Sequence, residues 1–140
     1  GVENRTSISD SKVKEWQAEG AVEYLGESAD VRPFIQKASC IVLPSYREGL
    51  SRVLLEASSM SRPIIASDVP GCREVIDDGI TGFLCKVKNT KDLEEKMLTF
   101  MSLQSEQRED MGKEGRKKIK EEFDIAIVIQ DYLTEIRHFL

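Results

Sequence analysis

The chain has 140 residues and a mass of 15.8 kDa, with 20 Lys and Arg against 25 Asp and Glu and a net charge of −5. That length can bury one hydrophobic core without disulfides or metals, and the acidic balance argues against nucleic acid as a partner, because neutralising phosphates takes an excess of cations on one face. Cys40, Cys72 and Cys85 include no Cys-x-x-Cys pair and read as thiols of a reducing compartment. The lone His138 leaves no histidine cluster for zinc and no Ser-His-Asp array. No apolar run approaches the ~20 residues needed to span a bilayer. The polar start, from Gly1 to Thr6, has no signal-peptide pattern and no initiator Met, as expected of a chain cut from a longer one.

In chain order, short apolar runs alternate with helical patterns, the mark of βαβ units. Residues 22–25, ending at Gly26, read as a strand. Asp30 is expected to cap a helix with Val31, Phe34, Ile35 and Ala38 inward and Pro33 in its first turn. Residues 40–44 are continuously apolar, as in a parallel strand buried on both faces. After a polar loop, Ser51 opens a helix that turns Val53, Leu54, Ala57 and Met60 inward. Residues 63–67 read as a third buried strand, 68–71 as a loop, 72–77 as a short helix and 82–85 as a fourth strand.

Only helices follow. Thr90 is expected to cap one with Leu93, Met97, Phe100 and Met101 on its inner face. A charged helix runs from Ser105 to near Phe123, and Gly112 and Gly115, each costing about 1 kcal/mol in a helix relative to Ala, imply close packing there. Asp124 caps the last helix, whose apolar stripe from Ile125 to Phe139 is broad. The stripe fits an ordinary docking helix or a face that belongs partly against protein outside this chain. The fold class is α/β, a Rossmann-like parallel sheet with flanking helices plus C-terminal helices, and no internal repeat or linker marks a second domain.

In an open parallel sheet, ligands bind at the carboxyl ends of the strands, where loops meet the positive N-termini of crossover helices. Here that edge consists of residues 26–28, the loop 45–50 and residues 68–71. Gly49 lets the backbone approach a ligand, and the amides of Leu50, Ser51 and Arg52 open a helix able to receive an anion such as a diphosphate. Glu48 precedes that helix and Glu56 lies inside it. Carboxylates accept hydrogen bonds, so the two suit the hydroxyls of a sugar or a ribose. Equally, Glu48 can simply complement the helix dipole, Glu56 can pair with Arg52 at i, i+4, and Arg47 can be a phosphate ligand or a solvated cation.

The run from Leu43 through Pro44, Ser45, Tyr46, Arg47, Glu48, Gly49, Leu50, Ser51, Arg52, Val53, Leu54 and Leu55 to Glu56 and Ala57 resembles the signature of retaining glycosyltransferase family 4, the group 1 glycosyltransferases, with its two Glu separated by seven residues. Residues 22–26, 63–74 and 78–84 agree in order, so the resemblance covers the chain from about Val22 to Leu140. It implies the C-terminal, donor-binding domain of a GT-B enzyme. That enzyme would transfer a sugar from a nucleoside diphosphate to a hydroxyl with retention, without a metal ion or other cofactor, the leaving-group charge being met by helix dipole and cations. Glu48 would contact the donor sugar at the reacting centre and Glu56 the ribose hydroxyls. The amides of Gly49, Leu50 and Ser51 would hold the diphosphate and sugar, Leu25 and Gly26 would edge the nucleobase, and Ser45, Arg47 and Arg52 complete the donor-binding set.

Nothing before Val22 looks like the Arg and Lys pair that neutralises the diphosphate in this family. The expectation is a C-terminal piece of a protein roughly two and a half times longer, inactive alone and lacking its acceptor domain, against which the last helix would lie. The wording is most similar to bacterial enzymes building capsule, O-chain or protein-linked glycans on a polyprenyl-diphosphate carrier, N-acetylgalactosaminyltransferases with a UDP donor being nearest. The implied partners are the nucleotide-sugar donor (a UDP-N-acetylhexosamine or UDP-hexose), the missing N-terminal domain and a lipid-linked acceptor. The implied location is the cytoplasm, at the inner face of the membrane. A non-catalytic nucleotide-sugar-binding domain and a flavodoxin-like signalling domain are the alternatives; the latter needs an Asp cluster after the first strand, where only Glu27 and Asp30 stand.

Overall fold

The computed structural model describes residues 8–139, which divide into two compact units, the first ending at Val31 and the second starting at Arg32. The first unit contains α1 (Asp10–Ala18), a helix that apolar periodicity does not announce because only Val13 and Trp16 interrupt its polar run. Local groups make it instead: the Ser9 hydroxyl accepts from the Lys12 amide, and Lys12 pairs with Glu15 at 2.7 Å and lies over the Trp16 ring. Residues 22–25 are not a strand. They pair with nothing among the described residues, and Val22, Tyr24 and Leu25 are exposed. Apolar composition qualifies a segment for a sheet, but a strand exists only where a neighbour takes its backbone groups.

The second unit runs α2 (Arg32–Lys37), β1 (Ile41–Leu43), α3 (Arg52–Ser59), β2 (Ile64–Ser67), β3 (Gly82–Cys85), α4 (Thr90–Ser102), α5 (Ser105–Glu122) and α6 (Ile125–His138). The helix expected from Asp30 thus begins at Arg32. All three strands are parallel in the order β1-β2-β3, with Ile41 opposite Ile64 and Ile64 opposite Gly82. β2 is buried at every residue, and alternation divides it between two cores. Ile64 and Ala66 pack with Leu54, Ala57, Cys72, Val75 and Ile76, whereas Ile65 packs with Phe100 and Met111. β1 is an edge strand: Val42 is exposed, so this strand is not buried on both faces as its composition suggests.

Other expectations are corrected in the same way. Residues 72–77 form consecutive turns, in which the Arg73 and Ile76 amides reach back to Val69 and Cys72, rather than a helix. Val53, Met97 and Met101 are exposed although their periodicity points inward, because no described element lies over them. Asn89, not Thr90, caps α4, its side chain accepting from the Asp92 amide at 3.0 Å. Asp124 does cap α6, accepting from Ala126, but α6 buries none of its residues; Ile125, Tyr132 and Phe139 are among its most exposed.

The glycines of α5 pack as expected. A Cβ at Gly112 would stand 2.2 Å from the Ser61 carbonyl oxygen, and one at Gly115 would touch Ser58, so α5 lies tight on the C-terminal end of α3. Lys118 reinforces the seam from α5 with a 2.5 Å ion pair to Asp77.

Candidate functional site

Because β1, β2 and β3 are parallel, the segments leaving them (44–51, 68–71 and 86–89) share one edge of the sheet. The first of these is built around Ser45 and Glu48. The Ser45 hydroxyl donates to Glu48 Oε1 at 2.6 Å, which fixes a half-buried carboxylate beside the start of α3. Ser51 is the buried N-cap residue of α3, yet its side chain makes no capping bond. Its carbonyl accepts from the Leu54 and Leu55 amides, while the amides of Gly49, Leu50, Ser51, Arg52 and Val53 donate to no acceptor among the described residues. Five successive free donors at the positive end of a helix make a receptor for an anion.

A second loop supports the first. Gly71 has φ +86°, and a Cβ there would fall 1.8 Å from the Gly49 carbonyl oxygen, so only glycine lets the two backbones meet. The Glu74 carboxylate accepts from the Gly71 amide and holds this turn closed, and Arg73 pairs with Asp68. Beneath them the buried Cys72 thiol is pushed up to about 11, first by burial and then by the negative charges of Glu48 and Glu74. Burial pushes Cys40 up to about 12 and raises Cys85 as well, so all three thiols stay protonated at neutral pH and none is a ready nucleophile.

Glu56 is partly exposed and only 3.9 Å from the largely exposed Arg52, a loose pair of the kind worth little. That contact therefore leaves the Glu56 carboxylate available to a ligand. Arg47 is exposed on the same loop. Lys88, in left-handed backbone at φ 57°, places its ammonium 5.4 Å from the centre of the exposed Tyr46 ring. Ser45, Glu48, Gly49, Leu50, Ser51, Arg52 and Glu56 thus lie on the loop after β1 and on α3. Leu25 and Gly26 belong to the first unit, where Leu25 is exposed and Gly26 takes φ +75°.

Gly71, Glu74 and Lys88 went unassigned on sequence alone. The turn Val69-Pro70-Gly71 marks the first, and a cation just past the carboxyl end of a strand marks the last. Among the described residues, no group of three His, Cys, Asp or Glu is placed to hold a metal ion, and no helix is long and apolar enough to cross a membrane.

The family model of "Glycosyl transferases group 1" matches residues 5–118. This chain is a member of that family. It is 36% identical over 114 residues to the Campylobacter jejuni N,N'-diacetylbacillosaminyl-diphospho-undecaprenol alpha-1,3-N-acetylgalactosaminyltransferase, a match covering 81% of this chain and 30% of the relative. It is 27% identical to the Staphylococcus aureus capsular polysaccharide biosynthesis glycosyltransferase CapM, over 99% of this chain and 36% of that one. In structure it is similar to Anabaena HepE, crystallised in complex with UDP, with a TM-score of 0.79 at 21% identity over 93% of this chain and 35% of that one. The chain has the fold of a GT-B C-terminal domain, which leaves no place for the flavodoxin-like alternative, and it spans about a third of the length of these relatives.

Proposed function

We propose that this chain is the donor-binding part of a retaining glycosyltransferase that takes a nucleoside-diphosphate sugar, a UDP-N-acetylhexosamine or UDP-hexose, and passes its sugar to a lipid-linked or glycan acceptor in bacterial surface glycan synthesis. The observation that carries the reading is the run of five free amides from Gly49 to Val53 at the start of α3, flanked by Glu48 and Glu56. In this reading the amides receive the diphosphate, and the Ser45-braced Glu48 meets the donor sugar. Glu56 accepts from the ribose, Leu25 and Gly26 edge the base, and Arg47 adds positive charge. As the bond from the sugar to the diphosphate breaks and that to the acceptor hydroxyl forms, the growing charge on the leaving phosphate is stabilised by the helix terminus and nearby cations, with no role assigned to a metal.

Relatives support the donor and acceptor classes by their names alone: one is an N-acetylgalactosaminyltransferase acting on a diphospho-undecaprenol, and another protein of this fold was crystallised with UDP. Beyond its first residue, the exposed apolar face of α6, with Val128, Ile129, Tyr132, Leu133 and Ile136, would lie against the acceptor domain of the whole enzyme, at the cytoplasmic face of the membrane.

Calorimetry of the 140-residue chain with UDP, GDP and ADP sugars tests the donor. Binding of UDP-sugars is expected in the millimolar range, about 4 kcal/mol weaker than micromolar, because the basic complement of this loop is small. Micromolar affinity would show that the described residues already form the whole donor site, and no binding of any nucleotide sugar would overturn the reading. In the full-length enzyme, Glu48→Gln is expected to lower kcat with little change in KM, and Glu56→Gln chiefly to raise KM for the donor. The reverse partition would overturn the roles. Donor binding without any transfer would favour the non-catalytic alternative.

A further inference from the structure

The feature of the second unit that donor binding does not use is a stripe of four cations on α5. Lys113, Arg116, Lys117 and Lys120 stand at i, i+3, i+4 and i+7, so they share one helix face. With Ser61 and Glu121 they line an open cavity of about 320 Å³. Lys113 and Ser61 also line a neighbouring cavity of about 400 Å³ with Arg62, Arg108 and Glu109, and Arg116 and Lys120 line another with Phe123, Asp124 and Ile125. Residues 112–120 hold five cations against Glu114 alone, in a chain whose net charge is −5.

Local structure accounts for only part of this charge. Lys113 pairs with Asp110 at 3.2 Å, Arg116 donates to the Ser59 carbonyl at the end of α3, and Lys118, off the stripe, pairs with Asp77. Lys117 and Lys120 are exposed and have no hydrogen bond or ion pair among the described residues. Lys117 and Lys120 are therefore the members of the stripe that no described contact occupies.

The position is also informative. Ser61 precedes β2, so the stripe lies at the amino edge of the sheet, and the length of α3, about 12 Å at 1.5 Å per residue, separates it from the loop 44–51. A broad partner can cover one edge and leave the other open. The cations are spread along about 10 Å of helix rather than converging on a point. A plane of phosphates matches this better than a single small anion does. At one end of the stripe the 73% exposed Ile125 adds apolar surface, the pairing of basic and apolar groups that suits a headgroup region.

We propose that this face of α5 docks the chain on an anionic bilayer, the lipid phosphates meeting Lys113, Arg116, Lys117 and Lys120 while Ile125 reaches the headgroup boundary. The inference rests on charge and placement and does not depend on the donor reading.

Co-sedimentation of the chain with phosphatidylcholine vesicles, with and without about 30% phosphatidylglycerol, tests it. Binding is expected only to the anionic vesicles and is expected to weaken at least about tenfold from low to physiological salt. Each cation near such a surface is worth about fivefold, so Lys117→Gln/Lys120→Gln should bind about 25-fold more weakly. Lys14→Gln/Lys91→Gln, which removes the same charge elsewhere, should bind as the parent does. Melting curves of both variants confirm that they fold. Absence of binding to anionic vesicles, equal losses in the two double variants, or tighter binding to tripolyphosphate or to an oligonucleotide than to vesicles would each overturn the proposal.

Discussion

The two ends of α3 are finished in opposite ways. At its N-terminus, five amides from Gly49 to Val53 have no acceptor among the described residues, and the N-cap Ser51 leaves its side chain out of the capping role. At its C-terminus, the Met60 amide closes on Glu56 and Ala57, the Arg116 guanidinium takes the Ser59 carbonyl, and Gly112 of α5 packs directly against Ser61. One end is sealed by packing; the other is held in place by Ser45, Glu48 and Gly71 yet left with its donors unspent. A helix whose two ends are treated this differently keeps its positive pole open to an anion and relies on its negative pole for anchorage.

Substitutions along α3 and its contacts can break or sharpen this contrast. The largest effect is expected in the middle: Leu54 is fully buried between both ends, and Leu54→Ala should lower unfolding stability by about 3–4 kcal/mol in chemical denaturation. Next, Gly112→Ala puts a methyl against a backbone carbonyl that has little room to move. The clash outweighs the helix-propensity gain, and a net loss of about 2 kcal/mol is expected in the same measurement, with nucleotide binding by the folded protein unchanged. If Gly112→Ala were neutral, the C-terminal end of α3 would not be sealed as described.

At the open end the order of effects reverses, with binding changing more than stability. Ser45→Ala removes the donor to Glu48 and should weaken UDP-sugar binding or turnover in the full-length enzyme by about tenfold, or about 1.4 kcal/mol, with a smaller change in melting temperature. The smallest effect is expected from Arg52→Ala. Its 3.9 Å pair with Glu56 is exposed, so stability should change by less than about 0.5 kcal/mol in denaturant titration. A larger loss would mean that the Arg52 and Glu56 pair is structural and that Glu56 is not free for a ligand.

Much of this was legible in the residues. The apolar runs of β1, β2 and β3, the helical spacing of α3 to α6, the Asp124 cap and the packing glycines of α5 are local signals, and local geometry honours them. The order of motifs around Glu48 and Glu56 likewise pointed to the family, which the matched residues then showed. Contacts between segments far apart in sequence were not legible. Nothing local says that a Cβ at Gly71 would strike the Gly49 carbonyl, that Lys88 lies over Tyr46, or that Val42 and Val53 lack a covering neighbour.

The sequence by itself therefore determined β1 to β3, α3 to α6 and the chemistry available at the strand ends, because backbone propensity and side-chain type act over a few residues. Tertiary structure alone decided which apolar faces are covered, which amides stay unspent and which end of α3 is sealed by packing. Those outcomes depend on a partner for each group, and a partner is supplied by packing rather than by the group's own neighbours along the chain.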